Sequence, residues 1–203
     1  MQGFLSALAQ QRWDDHRYYH HSRINQGLHL FSAMSFLAAY VFLLTNHPVG
    51  AAVMGWLVAM LLRQTGHFFF EPKGYDEVNQ ATHEHKEAIK VGYNLRRKIV
   101  LLSIWALSPL ALLIDPTLFG MFEAHTNQAE FLHNMAVLWI AIGAGGLFFR
   151  TLHLFHLKDA QTGLVWLTKI LTDPVHDIKL YYRAPLYVFR GELIDPMGGQ
   201  QRH

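Results

Sequence analysis

The chain contains no cysteine, which removes disulfides, thiolate metal sites and cysteine nucleophiles together. Charge is also scarce. Asp, Glu, Lys and Arg make up 16% of the 203 residues, against about a quarter in an ordinary soluble domain. A net charge of +2 sets up no field for a polyanion, so nucleic acid is not an expected partner. Met1 to His20 lacks the basic start, apolar core and small-residue cleavage site of a signal peptide. Internal repeats and low-complexity stretches are missing as well, and the length fits a single domain over residues 1–203. What remains is an apolar fraction of 51% and an unusual 14 histidines. The first points to a membrane, the second to metal.

Taken in order, Phe4 to Arg23 reads as an amphipathic interfacial helix with Trp13, Tyr18 and Tyr19 at headgroup depth. Apolar runs follow at about 27–46 and 49–70, separated by Asn46-His47-Pro48 as a tight hairpin link. Two more lie at about 99–114, where Pro109 predicts a kink, and 131–155, with the small-residue patch Gly143-Ala144-Gly145-Gly146. Each run can cross a hydrocarbon core that needs about 20 residues of helix once its aromatic or basic flanks are counted. The predicted fold is therefore all-α: a polytopic membrane protein of four transmembrane helices. Interfacial and cytoplasmic helices carrying a His-rich metal site complete it, in a polar segment at 71–98, helical after Asp76, and a surface tail at 156–203 broken at Asp173-Pro174 and Asp195-Pro196.

Loop charges test the four spans independently, because Lys and Arg collect on the cytoplasmic side. Three precede the first run, seven lie between the second and third, and seven follow the fourth, which accounts for all 17. The two opposite loops have none. Both termini and the metal site are thus expected on the cytoplasmic face of an integral membrane protein, in a bacterial inner membrane or the endoplasmic reticulum. Of the histidines only His47, His125 and His133 fall on the far side.

Spacing narrows the ligands. His21, Asn25 and His29 recur every four residues, which on a helix places them in one stripe, and His67 and Glu71 repeat the interval. His153 and His156 stand three apart, with Asp159 three further on. His83 with Glu87 has the interval of four, whereas His83 and His85, two apart, face opposite ways. His16 and His20 are also four apart, and solvent exposure accounts for that pair as well as ligation does. His176 lies between Asp173 and Asp177, where a surface turn explains it equally. Imidazole and carboxylate without thiolate suit iron, manganese or zinc. The candidate metal ligands are His21, His29, His67, His83, His85, His153, His156 and His176, with Asn25 and Glu71 as candidate catalytic groups.

Tyr19, His21, Asn25 and His29, then an apolar hairpin, then Gln64-Thr65-Gly66-His67 with Glu71, resemble the N-terminal signature of the membrane-embedded 2-hydroxy fatty acid dioxygenases. The resemblance covers about residues 19–72. It implies Fe(II), one ion rather than two, held by His21, His29 and His67, with His83 or His85 as a fourth ligand. It also implies a fatty acyl substrate, shortened by one carbon with dioxygen. The long segment Asp76 to Lys98 departs from the family pattern. Two other readings remain open at this level. A di-iron hydroxylase or desaturase would use His16-x3-His20-His21 as a histidine box, and a non-catalytic haem- or metal-binding protein would need opposed histidines such as His29 with His67 or His153.

Overall fold

The computed structural model describes residues 3–71 and 74–197, with the backbone alone at Leu95. These residues form helices α1 (Phe4–Tyr19), α2 (Arg23–Leu44), α3 (Pro48–Ala52), α4 (Leu61–Thr65), α5 (His83–Ile89), α6 (Leu95–Ile114), α7 (Gln128–Leu157), α8 (Ala160–Tyr181) and α9 (Ala184–Phe189). α3 and α4 belong to one continuous rod, Pro48–Phe70, because Val53–Met60 between them and Gly66–Phe70 after them wind as π-helix. Strands are absent among the described residues, where two isolated bridges join Ser22 to Ile194 and Asp76 to Ala81.

Four helices are long and apolar enough to cross a membrane: Arg23–Leu44, Pro48–Phe70, Arg96–Ile114 and Gln128–Leu157. Their outward faces carry exposed Val41, Leu107 and Ile114, which suits lipid and would be a liability in water. They match the four expected runs and extend most of them by a few residues, since polar caps lie outside the apolar stretch. Asn94, Asn127 and Asp159 each accept a backbone N–H of the turn they open, at 3.1, 3.0 and 2.7 Å. The hairpin turns at Asn46, whose φ of 59° is one that Asn tolerates better than most residues.

The inner faces meet in a tryptophan core. Trp56 stacks on Trp105 with centroids 5.3 Å apart, and Trp139 packs against Trp105 at 5.2 Å. Trp56 donates to the Trp139 carbonyl at 2.7 Å, and Trp139 to Ser108 Oγ at 3.1 Å, so two of these indoles bury area without losing their polar handle.

Two segments differ from expectation. After Asp76 the polar segment is a turn at 77–80 and the short α5, not one long helix; residues 72–73 of it lie outside the described residues. The tail is not a broken surface element. α8 runs through Pro174 and packs on α1, α2 and α7, burying Val165, Trp166, Lys169, Asp173 and Tyr181. Proline disfavours helix in the residue before it. Here Asp173 is held by Lys169 Nζ at 2.7 Å and Arg12 Nε at 3.4 Å. At the other end Gly163 approaches α7 so closely that a Cβ would meet Phe155 at 2.5 Å and the Thr151 carbonyl at 2.8 Å. The expected tail residues 198–203 lie outside the described residues.

Candidate metal centre

Three imidazoles converge where α1, α2 and the Pro48–Phe70 rod meet: His20, His29 and His67, with a ligand-type nitrogen of each within 4.8 Å of the others. His20 and His29 are fully buried, and His67 is partly so. His29 sits six residues into α2, about 9 Å from its start, so the centre lies inside the bundle end and away from the Asn46 turn.

The local sequence explains each placement. His20 caps the C-terminus of α1, its N–H bonded to the His16 carbonyl at 3.0 Å. Ser22 then starts α2 by accepting from Asn25 N at 3.4 Å. The connection between them is pinned from α2. Asn25 Nδ2 donates to the Tyr19 carbonyl and Gln26 Nε2 to the His20 carbonyl, both at 2.8 Å. The C-terminal segment clamps it from outside, with Asp195 N bonded to the His21 carbonyl at 2.7 Å and Arg23 N to the Leu193 carbonyl at 2.8 Å. His67 stands on the π-helical turn Gly66–Phe70, a distortion that recurs at functional sites. Gly66 is required there: a Cβ would run into Asn25 Oδ1 and come within 3.2 Å of His29 Cε1.

Every ring is held from behind through Nδ1. His20 Nδ1 lies 2.9 Å from the Asp15 carbonyl, His29 Nδ1 3.0 Å from the Asn25 carbonyl, and His67 Nδ1 2.7 Å from Glu71 Oε2. Carbonyl oxygens only accept, so His20 and His29 each carry their proton on Nδ1, and a neutral ring then presents a bare Nε2. Those two Nε2 atoms face each other at 2.9 Å. Two lone pairs at that distance repel unless a cation lies between them or one ring is charged. Burial pushes His20 down to about 4, against the charged ring. The arrangement has the chemistry of a cation site: neutral imidazoles, Nε2 inward, orienting partners outward.

Glu71 extends the support. Its Oε1 accepts from Lys90 Nζ at 3.2 Å, Lys90 also reaches Glu87 at 3.2 Å, and the Lys90 ammonium lies 4.3 Å from the Tyr19 ring centre. A cavity of about 390 Å³ opens against His67, with Tyr19, Lys98, Trp56 and Trp166 among its walls.

No protein-family model, no curated protein and no solved structure matches the chain. The centre therefore rests on its own atoms.

Of the ligands expected from sequence, His29 and His67 are brought together and the others lie elsewhere. His20, not His21, completes the group. The stripe of four-residue spacing assumes helix through position 21, whereas helix begins at Arg23. His21 turns to Asp76, with Nδ1 3.9 Å from Oδ1. The signal available is Ser22, a favoured N-cap, which marks a helix start and breaks that stripe. His83 and His85 are exposed on α5, which reaches the centre through Glu87 and Lys90 instead. His153 Nδ1 faces Arg150 Nη1 at 3.0 Å, His156 is exposed, and Asp159 caps α8. His176 lines a separate small polar pocket with Arg12 and Asp173. Asn25 and Glu71, expected as catalytic groups, stand behind the rings as positioning residues, and Asn25 Oδ1 is buried with no hydrogen-bond partner.

Proposed function

We propose that this protein is a membrane-embedded, iron-dependent oxygenase that acts on a lipid acyl chain, and specifically one that cleaves a 2-hydroxy fatty acid to the acid one carbon shorter. The observation that carries the reading is the pair of bare Nε2 atoms at 2.9 Å, with His67 beside them forming part of a cavity wall. With metal–imidazole bonds of about 2.1 Å, nitrogens at right angles stand about 3.0 Å apart and tetrahedral ones about 3.4 Å. The 2.9 Å spacing of this pair is close enough for both nitrogens to bind one ion. Opposed haem ligands would need roughly 4 Å, twice such a bond. No second convergence of three ligand-type side chains occurs among the described residues, which favours one ion over two.

In this reading His20, His29 and His67 would hold Fe(II), and the ion would supply the redox chemistry toward dioxygen. The protein's own residues do the rest. The Asp15 and Asn25 carbonyls and the Glu71 carboxylate fix the three rings, and the largely apolar cavity binds the chain and keeps water from the reacting carbon. The overall balance, RCH(OH)COOH + O2 → RCOOH + CO2 + H2O, closes in atoms, so the substrate itself supplies all the electrons. The resemblance of residues 19–72 to the dioxygenase family supports the substrate class, and the loop charges support a cytoplasmic face for the centre.

The test is metal analysis of the purified protein, together with oxygen uptake on 2-hydroxypalmitate. One iron per chain and ferrous-dependent release of the shortened acid are expected. Protein that binds no iron and turns over equally well with a chelator present would end this reading.

A further inference from the structure

The cavity has a feature that the metal centre does not use. Four cationic side chains line it: Arg63, Lys90, Lys98 and Lys169. Three already have carboxylate partners. Arg63 reaches Asp177 at 3.1 Å, Lys90 reaches Glu71 and Glu87 at 3.2 Å each, and Lys169 reaches Asp15 at 2.9 Å and Asp173 at 2.7 Å. Lys98, in the first turn of α6, has no hydrogen bond or ion pair from its ammonium among the described residues, and it is only partly exposed. The acid that acts on it most strongly is Glu71, and both Glu71 oxygens are taken, by His67 and by Lys90. A part-buried ammonium without a counter-ion is costly to hold.

The shape of the cavity says what kind of molecule supplies that counter-ion. Its wall runs along the Pro48–Phe70 rod from His67 to Trp56, Gly55 and Ala51, a distance of roughly 20 Å along a rod that is part α-helix and part π-helix. A cavity of about 390 Å³ that reaches along this length has room for an extended acyl chain. Away from Lys98 the walls include Phe36, Leu43, Leu101, Leu102 and Ile140. A long apolar channel with one uncompensated cation at its polar end matches an amphiphile with a single anionic head.

We propose that Lys98 is the head-group anchor of this channel: its ammonium takes the carboxylate of a long-chain acid and selects it over the neutral alcohol or ester of the same chain. The inference rests on the acyl-chain reading above and adds the group that sets head-group specificity. Lys98 lines the cavity itself, so its loss acts on binding directly.

The experiment reads binding in chelator-treated protein in lipid nanodiscs, with brominated palmitate, the matching alcohol and the matching methyl ester as probes. Quenching of tryptophan fluorescence reports occupancy, because Trp56 and Trp166 line the channel. Wild-type protein should bind the acid roughly tenfold or more tightly than the alcohol or ester, as a charge-assisted contact warrants. Lys98→Gln should abolish that preference while leaving alcohol affinity unchanged, and Lys98→Arg should keep it. Equal affinity of wild-type protein for acid and alcohol overturns the proposal whether or not the variants fold, and so does an acid preference that survives in Lys98→Gln. Metal-free binding is independent of turnover. A failure of iron-dependent oxidation therefore leaves this result standing, and a missing acid preference leaves the oxidation result standing.

Discussion

Two buried polar clusters lie side by side at one end of the bundle, and they are built on opposite principles. One is the charge network of α1, α4 and α8, in which Arg12, Asp15, Arg63, Lys169, Asp173 and Asp177 are joined by contacts of 2.7 to 4.0 Å. Each charge there has an opposite neighbour. Burial is the largest single influence on Asp15 and raises it, but the Lys169 ammonium, by charge and hydrogen bond, acting with His20 and His67 holds the carboxyl well below the usual range. Asp177 is the exception in degree: burial pushes it above the usual carboxylate range against the pull of Arg63. The pocket this network surrounds is about 10 Å³, room for roughly one water at most. The other cluster is the histidine triad, where three groups of one kind converge and none can satisfy another. Asp15 joins the two, giving its carbonyl to His20 and its carboxylate to Lys169. A closed network docks helices; an open one of like groups awaits a ligand.

That contrast predicts different losses from single changes. His29→Ala should reduce bound iron and turnover to background while the chain still folds, as metal analysis and circular dichroism of the same sample would show. Iron retained at the wild-type level would erase the distinction between the clusters. Asp173→Ala should do the reverse. It leaves Lys169 and Arg12 short of a buried partner, at a cost of about 3–5 kcal/mol, read from denaturant unfolding. Iron per folded molecule should not change, and a variant that unfolds normally but loses iron would place the network within the metal site.

Smaller changes sharpen the line between ring and support. Glu71→Gln keeps the shape behind His67 but weakens the acceptor, and iron affinity should fall by roughly 10–100-fold, measured by competition with a chelator. Equal affinity would mean that Glu71 serves Lys90 alone. His16 tests pH. Burial pushes it down to about 4, below an unfolded value near 6.5. The unfolded chain therefore takes up a proton that the folded chain refuses between those values, so stability is full above about 6.5 and falls as pH drops toward 4, by about 3 kcal/mol. His16→Gln should make that part of the stability profile of metal-free protein shallower without abolishing it, since burial also pushes His20 down to about 4; an unchanged slope would assign the whole of it to other groups.

Much of this is legible in the sequence, and what is not has specific physical causes. The four span candidates follow from apolar run length alone, and His29, His67 and Glu71 from spacing within single helices. His20 is visible only as a pair with His16 that solvent exposure explains equally well, because it sits at a cap, where helical spacing does not tell which histidine turns inward. α8 is hidden because Asp173-Pro174 is a local break signal, and the ion pairs of Asp173 to Lys169 and Arg12 that accompany an unbroken helix span up to 161 residues of sequence. The role of Lys90 and Lys98 has no sequence signal at all. It depends on which cations in one cavity are already paired.

The histidines outside the triad give the smallest and most direct test of this reasoning. His83 and His85 are exposed on a seven-residue helix, and His156 is exposed at the end of α7. By composition they are as good a set of ligands as the triad, and by spacing His153 with His156 is better. What separates them is the lack of convergence and of carbonyl or carboxylate partners behind the rings. Alanine at His83, His85 and His156, singly or together, should shift stability by no more than about 0.5 kcal/mol each and leave iron content and turnover as in the wild type. Loss of iron in the triple variant would show that ligands arrive from α5 or α7 and that burial and partners behind the ring do not distinguish a metal-binding histidine here.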